Sequence, residues 1–284
     1  MLPYLLIVLG PTGSGKGSLP SKVITKYKLE KKNELILVDN YVEKNPYFKL
    51  KIDQFIKKQT KQGKNHKQII NMFMKPTNKM INTFNEIYFD SRKERHCKTG
   101  KKMTQKQKET SSCDIINDKK LTNAFSKGKN IVFETKGTYW PSWLFDMFKH
   151  DIIQKKYNII MAWSIVDICE LLFRNKNRAK INVEQFLQDS SNPPPRLPDI
   201  KIKNYTTELN TIIKTFLKNN PKNKNKLCVF KENPKTCIRL LLFDNNTQNS
   251  QLLYDSMNQS YKIGNKTIKK YNVKKSSRCT KKTS

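Results

Sequence analysis

LPYLLIVLGPTGSGKGS, residues Leu2–Ser18, decides the reading of this chain. Tyr4–Leu9 is a short apolar run without alternation, the pattern of a strand buried on both faces. It breaks at Gly10 into a loop of Pro11, Thr12, Gly13, Ser14, Gly15, Lys16, Gly17 and Ser18. Small residues there let backbone N–H groups converge on phosphate oxygens, and a helix start behind the loop adds its positive dipole end. Lys16 supplies a point charge for the β- and γ-phosphates. An ordinary flexible turn would account for the glycines, but not for the lysine or the strand before it. The stretch predicts binding of a nucleoside triphosphate.

One departure narrows the class. The Ser or Thr that usually follows the lysine, and whose hydroxyl coordinates Mg²⁺, is replaced by Gly17, with Ser18 one step on. The GSGKG variant resembles small-molecule and nucleotide kinases more than GTPases or motor ATPases. That resemblance implies a Ser18 hydroxyl at the α-phosphate, with Mg²⁺ held mostly by ATP oxygens, water and a carboxylate elsewhere.

The 284 residues are enough for one large α/β domain, or a core plus a small lid. The formal net charge is +33, and of 56 basic residues only seven are arginine. Such a field attracts polyanions or anionic small substrates. The wealth of lysine and asparagine also fits drift on solvated surfaces in an AT-rich genome. Six cysteines and three histidines show no CxxC pair and no metal-ligand spacing. Free thiols in a reducing compartment are the expectation. No apolar run approaches the ~20 residues of a membrane span, and the N-terminal run lacks a signal peptide's basic flank. A soluble, intracellular protein with no membrane partner is expected.

Buried parallel strands are predicted at Tyr4–Leu9, Leu35–Val38, Asn130–Phe133, Ile159–Ile165 and Ile238–Phe243. Asp167 reads as the N-cap of a helix over Ile168–Ala179. Strand–helix alternation argues for a parallel α/β sheet. About ninety residues separate the second and third strands, far more than a crossover needs. Within that polar insertion Arg92–Glu109 carries eight Lys or Arg against two glutamates, and Arg95–Glu109 reads as a loop. Phe84, Ile87 and Tyr88 suggest a packing helix just before it. The tail Lys262–Ser284 has nine Lys or Arg and no acid, a composition of disorder. The expected organisation is a kinase-like domain over 1–255, an insertion over 40–128, a lid-like segment over 174–200 and a basic tail over 256–284.

Three constellations carry chemistry. Asp39 ends the second strand, where ligands of open α/β sheets sit. A kinase needs a carboxylate there to accept the acceptor hydroxyl's proton, and a helix N-cap is the plain alternative. Glu134, with Thr135 after it, repeats the pattern at the end of the third strand. It would sit beside the glycine-rich loop and order Mg²⁺ through water or hold an acceptor hydroxyl. Tyr139, Trp140 and Trp143 follow, and Trp143 reads as core. Arg174 and Arg178 are four apart on one helix face, and Arg196 follows Pro193–Pro195. In a chain that uses lysine almost everywhere, arginine at this spacing points to bidentate phosphate contacts, with solvated surface cations the alternative.

GPTGSGKGSL, VDN with a nearby NP, IVFETKGTY, FRNKNRA and PPRLP together resemble the zeta toxin family of P-loop kinases, and most closely zeta-like proteins of large DNA viruses. The resemblance spans Leu5 to about Asp244. It implies a three-layer P-loop kinase fold around a central parallel sheet, with a basic insertion and a lid segment. It also implies ATP-Mg²⁺ phosphotransfer to a hydroxyl of a small anionic acceptor; bacterial relatives use UDP-N-acetylglucosamine. By position Lys16 matches the γ-phosphate lysine, Asp39 the acceptor base, Glu134 and Thr135 acceptor contacts, and Arg174 and Arg178 transfer-site arginines. The family often shows a second aspartate at the second strand, where this chain has Asn40 and Tyr41. The rival reading from charge is a nucleic-acid-binding protein, or a polynucleotide kinase, with a regulatory nucleotide site.

Overall fold

The computed structural model describes residues 2–136, 141–199, 227–230, 233–246 and 250–258. Among the described residues seven strands form one sheet: β1 (Tyr4–Leu9), β2 (Glu34–Ile36), β3 (Ile131–Thr135), β4 (Asn158–Ile165), β5 (Leu227–Phe230), β6 (Asn233–Asp244) and β7 (Gln251–Asp255). Their order is β2-β3-β1-β4-β6-β5, with β7 also paired to β6. β1 runs parallel to β3 and β4, and β4 parallel to β6; β5 and β7 are antiparallel to β6. This is the α/β fold with a central, mostly parallel sheet that the alternation of elements predicts.

Two compact units divide the chain: residues 1–35, 124–174 and 200–284, and residues 36–123 with 175–199. In the first, all six residues of β1 are buried, as a strand covered on both faces requires. Tyr4, Leu6 and Val8 pack with Val132, Ile160, Ala162 and Leu241, and with Leu19 and Val23 of helix α1 (Leu19–Lys26).

The second unit is helical. It holds α2 (Val38–Glu43), α3 (Pro46–Lys61), α4 (His66–Met74), α5 (Asn78–Phe89), a π-turn (Asp90–Glu94) and α6 (Gln105–Ser111). It also holds most of α7 (Cys113–Ser126) and, after the short α8 (Ser142–Met147) and α9 (Lys149–Gln154) of the first unit, the later part of α10 (Ile168–Gln188). Apolar residues four apart build its core: Phe48, Ile52 and Ile56 on α3, Ile69 and Phe73 on α4, Met80 and Phe84 on α5. Val183 and Phe186 of α10 close it. Phe84 meets Phe55 and Phe73 edge-on, with ring centroids 5.1 and 5.4 Å apart. Burying each such large side chain contributes about 1.5–3 kcal/mol toward folding this lysine-rich segment.

Several expectations are corrected. Val38 does not extend the second strand but opens α2, so Asp39 lies in a first helical turn rather than at a strand end. The helix begun at Ile168 runs past Ala179 to Gln188, because Val183 and Phe186 continue its buried stripe. Arg95–Glu109 is not a loop: Arg95 bridges Lys102, and a Thr104–Gln107 capping box starts α6. Cys97 and Cys113 are joined in a disulfide, and Cys169 and Cys237 are also disulfide-bonded. Among the described residues no cysteine is free, so the expected free thiols are not found there. Trp143 is 44% exposed and meets Phe133 edge-on, so it is not core. Tyr139, Trp140 and the tail 259–284 lie outside the described residues. Among those described, no helix is long and apolar enough to cross a membrane.

Candidate functional site

The glycine-rich loop grows directly out of the sheet. In the register of β1 and β3, Val8 stands opposite Glu134 and Leu9 opposite Thr135, and the Gly10 N–H donates to the Thr135 carbonyl at 3.3 Å. Glu134 and Thr135 therefore sit one strand over from the root of the loop, as their sequence pattern predicts. Ser14 N–H turns back to Pro11 O at 3.1 Å. Gly13 and Gly15 have φ of 83° and 75°, left-handed conformations that cost other residues about 1–2 kcal/mol. Lys16–Ser18 form one 3₁₀ turn leading into α1, whose first turn carries Pro20. The Ser18 hydroxyl donates to Gly15 O at 2.9 Å.

A buried polar brace holds this shape. Ser14 O accepts hydrogen bonds from the Ser164 hydroxyl and, at 3.0 Å, from Asn245 Nδ2, which also donates to Ser164 Oγ at 2.7 Å. A Cβ on Gly15 would stand 3.2 Å from that Asn245 nitrogen, and one on Gly10 would collide with the Ser14 hydroxyl. Gly17 is different: a Cβ there meets nothing within 4 Å. The Ser14 hydroxyl itself is buried with no hydrogen-bond partner among the described residues. Sequence reasoning missed Ser164 and Asn245. The available signal was their place, just at or beyond the carboxyl ends of the apolar runs in β4 and β6.

Arg174 belongs to the same unit. Its Nε pairs with Glu170 Oε1 at 2.6 Å and its Nη2 donates to Asn246 O at 2.9 Å. Asp167 caps α10 as expected, accepting from Cys169 N–H at 2.8 Å.

The second unit gathers the remaining candidates around Asp39. The Tyr88 hydroxyl donates to Asp39 Oδ1. Arg196 Nη1 donates to Asp39 Oδ2 at 3.0 Å, and its Nη2 reaches the Asp39 carbonyl at 3.4 Å. Arg196 Nε lies 3.0 Å from Glu43 Oε1 as an ion pair, yet this buried nitrogen finds no aligned hydrogen-bond acceptor. The guanidinium carbon sits 5.1 Å from the Tyr88 ring centroid. Burial opposes the Arg196 charge, but Asp39 and Glu43 outweigh it and raise its pKa. Burial, and then the Asp39 charge, push the Tyr88 phenol well above its ordinary value. Arg178 shows the opposite sign. Desolvation first, and then the like charge of Arg196, lower its pKa against the pull of Glu43, Asp39 and Asp199.

Local structure explains the clustering. Asn45 caps α3 by accepting from Tyr47 N–H at 2.9 Å, Pro46 opens that helix, and the Asn45 amide donates to Ser91 O at 2.9 Å. This fastens the α2–α3 turn to the π-turn after Tyr88. Arg92 pairs there with Asp114 at 2.5 Å, and Arg95 grips Asp90 while stacking on Tyr47. Among the described arginines, Arg178 alone has no ion-pair partner. The candidates thus divide: the loop, Glu134, Thr135 and Arg174 in one unit, Asp39, Arg178 and Arg196 in the other.

No protein-family model matches the chain, and no curated protein matches it. Among solved structures, it is similar to one from the PezAT chromosomal toxin–antitoxin system of Streptococcus pneumoniae. That likeness has 11% identity and a TM-score of 0.49, over 98% of this chain and 80% of that one. It is also similar to the AvrRxo1-ORF1:AvrRxo1-ORF2 complex, solved with sulphate ions (TM-score 0.44) and with ATP (TM-score 0.42), at 10% identity in both. In both cases 95% of this chain is covered, and it spans 63% of the length of the matched chain. At these scores no function passes from those proteins to this chain.

Proposed function

We propose that this chain is an ATP-dependent phosphotransferase, moving the γ-phosphate to a hydroxyl of a small phosphate-bearing acceptor such as a nucleotide sugar. The loop Gly10–Ser18 carries the reading. It joins a buried strand to a helix through two left-handed glycines, and its Ser14 hydroxyl is buried without a hydrogen-bond partner among the described residues. Those features suit a backbone cradle for phosphate oxygens. The resemblance of five sequence segments to zeta toxin kinases supports the same reading.

In this reaction the loop amides and Lys16 hold the ATP phosphates, and Ser18 lies at the α-phosphate. Asp39 takes the acceptor hydroxyl's proton as that oxygen bonds to the γ-phosphorus and the bond to ADP breaks, ADP keeping the electron pair. Arg174 and Arg178 offset transition-state charge, and Glu134, Thr135 and Arg196 bind the acceptor. Among the described residues no group of three or more His, Cys, Asp or Glu could hold a metal ion. Mg²⁺ bound with ATP would be held mostly by phosphate oxygens, water and a carboxylate, and would neutralise phosphate charge. In this reading the insertion over 40–128 binds the acceptor. Lys16→Ala and Asp39→Asn are each expected to cut transfer by about 10²-fold or more. Undiminished turnover in either variant overturns that residue's role.

A second reading rests on charge. Lys98, Lys101, Lys102 and Lys106 are exposed on the Arg92–Glu109 segment of a chain with net charge +33. Oligonucleotide binding that falls steeply with salt would favour it.

A further inference from the structure

Asp39 is held at both carboxylate oxygens, one accepting from Tyr88 and the other from Arg196. The carboxylate keeps lone pairs beyond these two bonds. Both donors, and above all the Arg196 guanidinium, nevertheless offset the negative charge with which a general base draws a proton, so the departure of one would activate it. The two are not equally free to leave. Tyr88 sits on α5, half-buried and edge-on to the buried Phe48 at 6.3 Å, and has no other charged partner in hydrogen-bond contact. Arg196 is divided among Asp39, Glu43 and the Asp39 carbonyl, and its buried Nε lacks an aligned acceptor. Arg178 faces it with no ion-pair partner among the described residues, its charge disfavoured by burial and then by Arg196. Arg178 without an ion pair and the unaligned Nε of Arg196 leave guanidinium donors open to a phosphate group at this site. The charged groups facing it are Asp39 and Glu43 from α2, Arg92 from the π-turn, Arg178 from α10, and Asp199.

We infer that Arg196 and Tyr88 form a substrate-released latch on Asp39. A phosphate group of the acceptor, captured by Arg178 and Arg196, draws Arg196 off Asp39 Oδ2, while Tyr88 keeps Oδ1 and aims the freed oxygen at the acceptor hydroxyl. This rests on the phosphotransferase reading and deepens it: the acceptor's phosphate switches on the base, so an acceptor without one leaves Asp39 latched. Tyr88 is then a positioning residue and Arg196 the specificity residue.

Calorimetric titration of inorganic phosphate reads the latch without turnover. It uses the full chain carrying Lys16→Ala, which silences the glycine-rich loop. Asp39→Asn in that background is expected to tighten phosphate about tenfold, the worth of one charge-assisted hydrogen bond released to the ligand. Arg196→Gln is expected to weaken it about tenfold. Unchanged or weaker phosphate binding in the Asp39→Asn form overturns the latch. In the otherwise wild-type chain, Tyr88→Phe is expected to lower kcat about tenfold at unchanged acceptor KM. A raised KM with kcat intact would overturn Tyr88's role. Phosphate responses as expected in a chain that transfers nothing from ATP would sink the phosphotransferase reading and leave the latch standing.

Discussion

Gly15→Ala and Gly17→Ala differ by one methyl each and separate a shaped phosphate cradle from a merely flexible glycine turn. At Gly15 the φ of 75° makes any side chain costly, by about 1–2 kcal/mol. The new methyl would also stand 3.2 Å from Asn245 Nδ2, tighter than ordinary contact. That nitrogen is buried and donates to Ser14 O and Ser164 Oγ, so displacing it forfeits roughly another 1 kcal/mol. Together Gly15→Ala costs about 2–3 kcal/mol, or roughly 5–10 °C in melting temperature for a domain of this size. At Gly17 a methyl meets nothing within 4 Å and φ is not left-handed, so Gly17→Ala stays within about 0.5 kcal/mol of wild type. The assay is thermal unfolding, paired with fluorescence titration of a nonhydrolysable ATP analogue. Gly15→Ala is expected to weaken ATP binding about tenfold or more, because the cradle amides move with Ser14, while Gly17→Ala leaves it within about twofold. Equal effects of the two substitutions, on stability and on affinity, would refute the reasoning.

Further outcomes follow from the same geometry. Because Gly17 opens on free space, Gly17→Thr is expected to fold normally and to tighten Mg²⁺-dependent ATP binding several-fold, by restoring a metal-binding hydroxyl; titration with and without Mg²⁺ checks it. Asp255 is buried beneath Arg239, Tyr27 and Met257 N–H, and although burial alone would raise its pKa, those hydrogen bonds hold it below the ordinary carboxylate value. Its folded pKa lies under the unfolded one, so its stabilisation is present above about pH 4 and lost as pH falls through the folded value. Asp255→Asn is expected to cost about 2–3 kcal/mol at neutral pH and to flatten that acid loss, read from urea unfolding at several pH values. The Cys97–Cys113 disulfide closes a sequence separation of 16, and Cys97→Ser with Cys113→Ser is expected to destabilise the helical unit by about 3 kcal/mol. Hydrogen exchange in α3 to α5 would show it.

The sequence shows the fold best where local chemistry and tertiary demand coincide. Tyr4–Leu9 is apolar throughout because both its faces are covered, and Gly13 and Gly15 are glycines because their φ requires it. The helical unit hides its core behind lysines, although Phe48, Ile52, Ile56 and the Ile69–Phe73 pair keep a four-residue spacing. Val38 misleads because a β-branched residue after Ile36 and Leu37 completes an apolar run, yet it packs against the helical core as the start of α2. β5 and β7 are short antiparallel additions whose pairing with β6 no local pattern announces. At the candidate site, single residues are legible and their partners are not. Arg196 and Asp39 lie 157 positions apart, and nothing in PPRLP says which carboxylate its arginine meets. Tyr88 reads as packing because an aromatic on a helix usually packs; here it also carries the hydroxyl that holds Asp39.

Transfer of labelled γ-phosphate from ATP tests the central claim most directly. The panel would hold UDP-N-acetylglucosamine, nucleoside monophosphates and 5′-hydroxyl oligonucleotides, with Lys16→Ala alongside. A labelled small acceptor bearing a phosphate, its product lost with Lys16→Ala, is the predicted result. Nucleotide binding that depends on Lys16, with no labelled product from any acceptor, would contradict it.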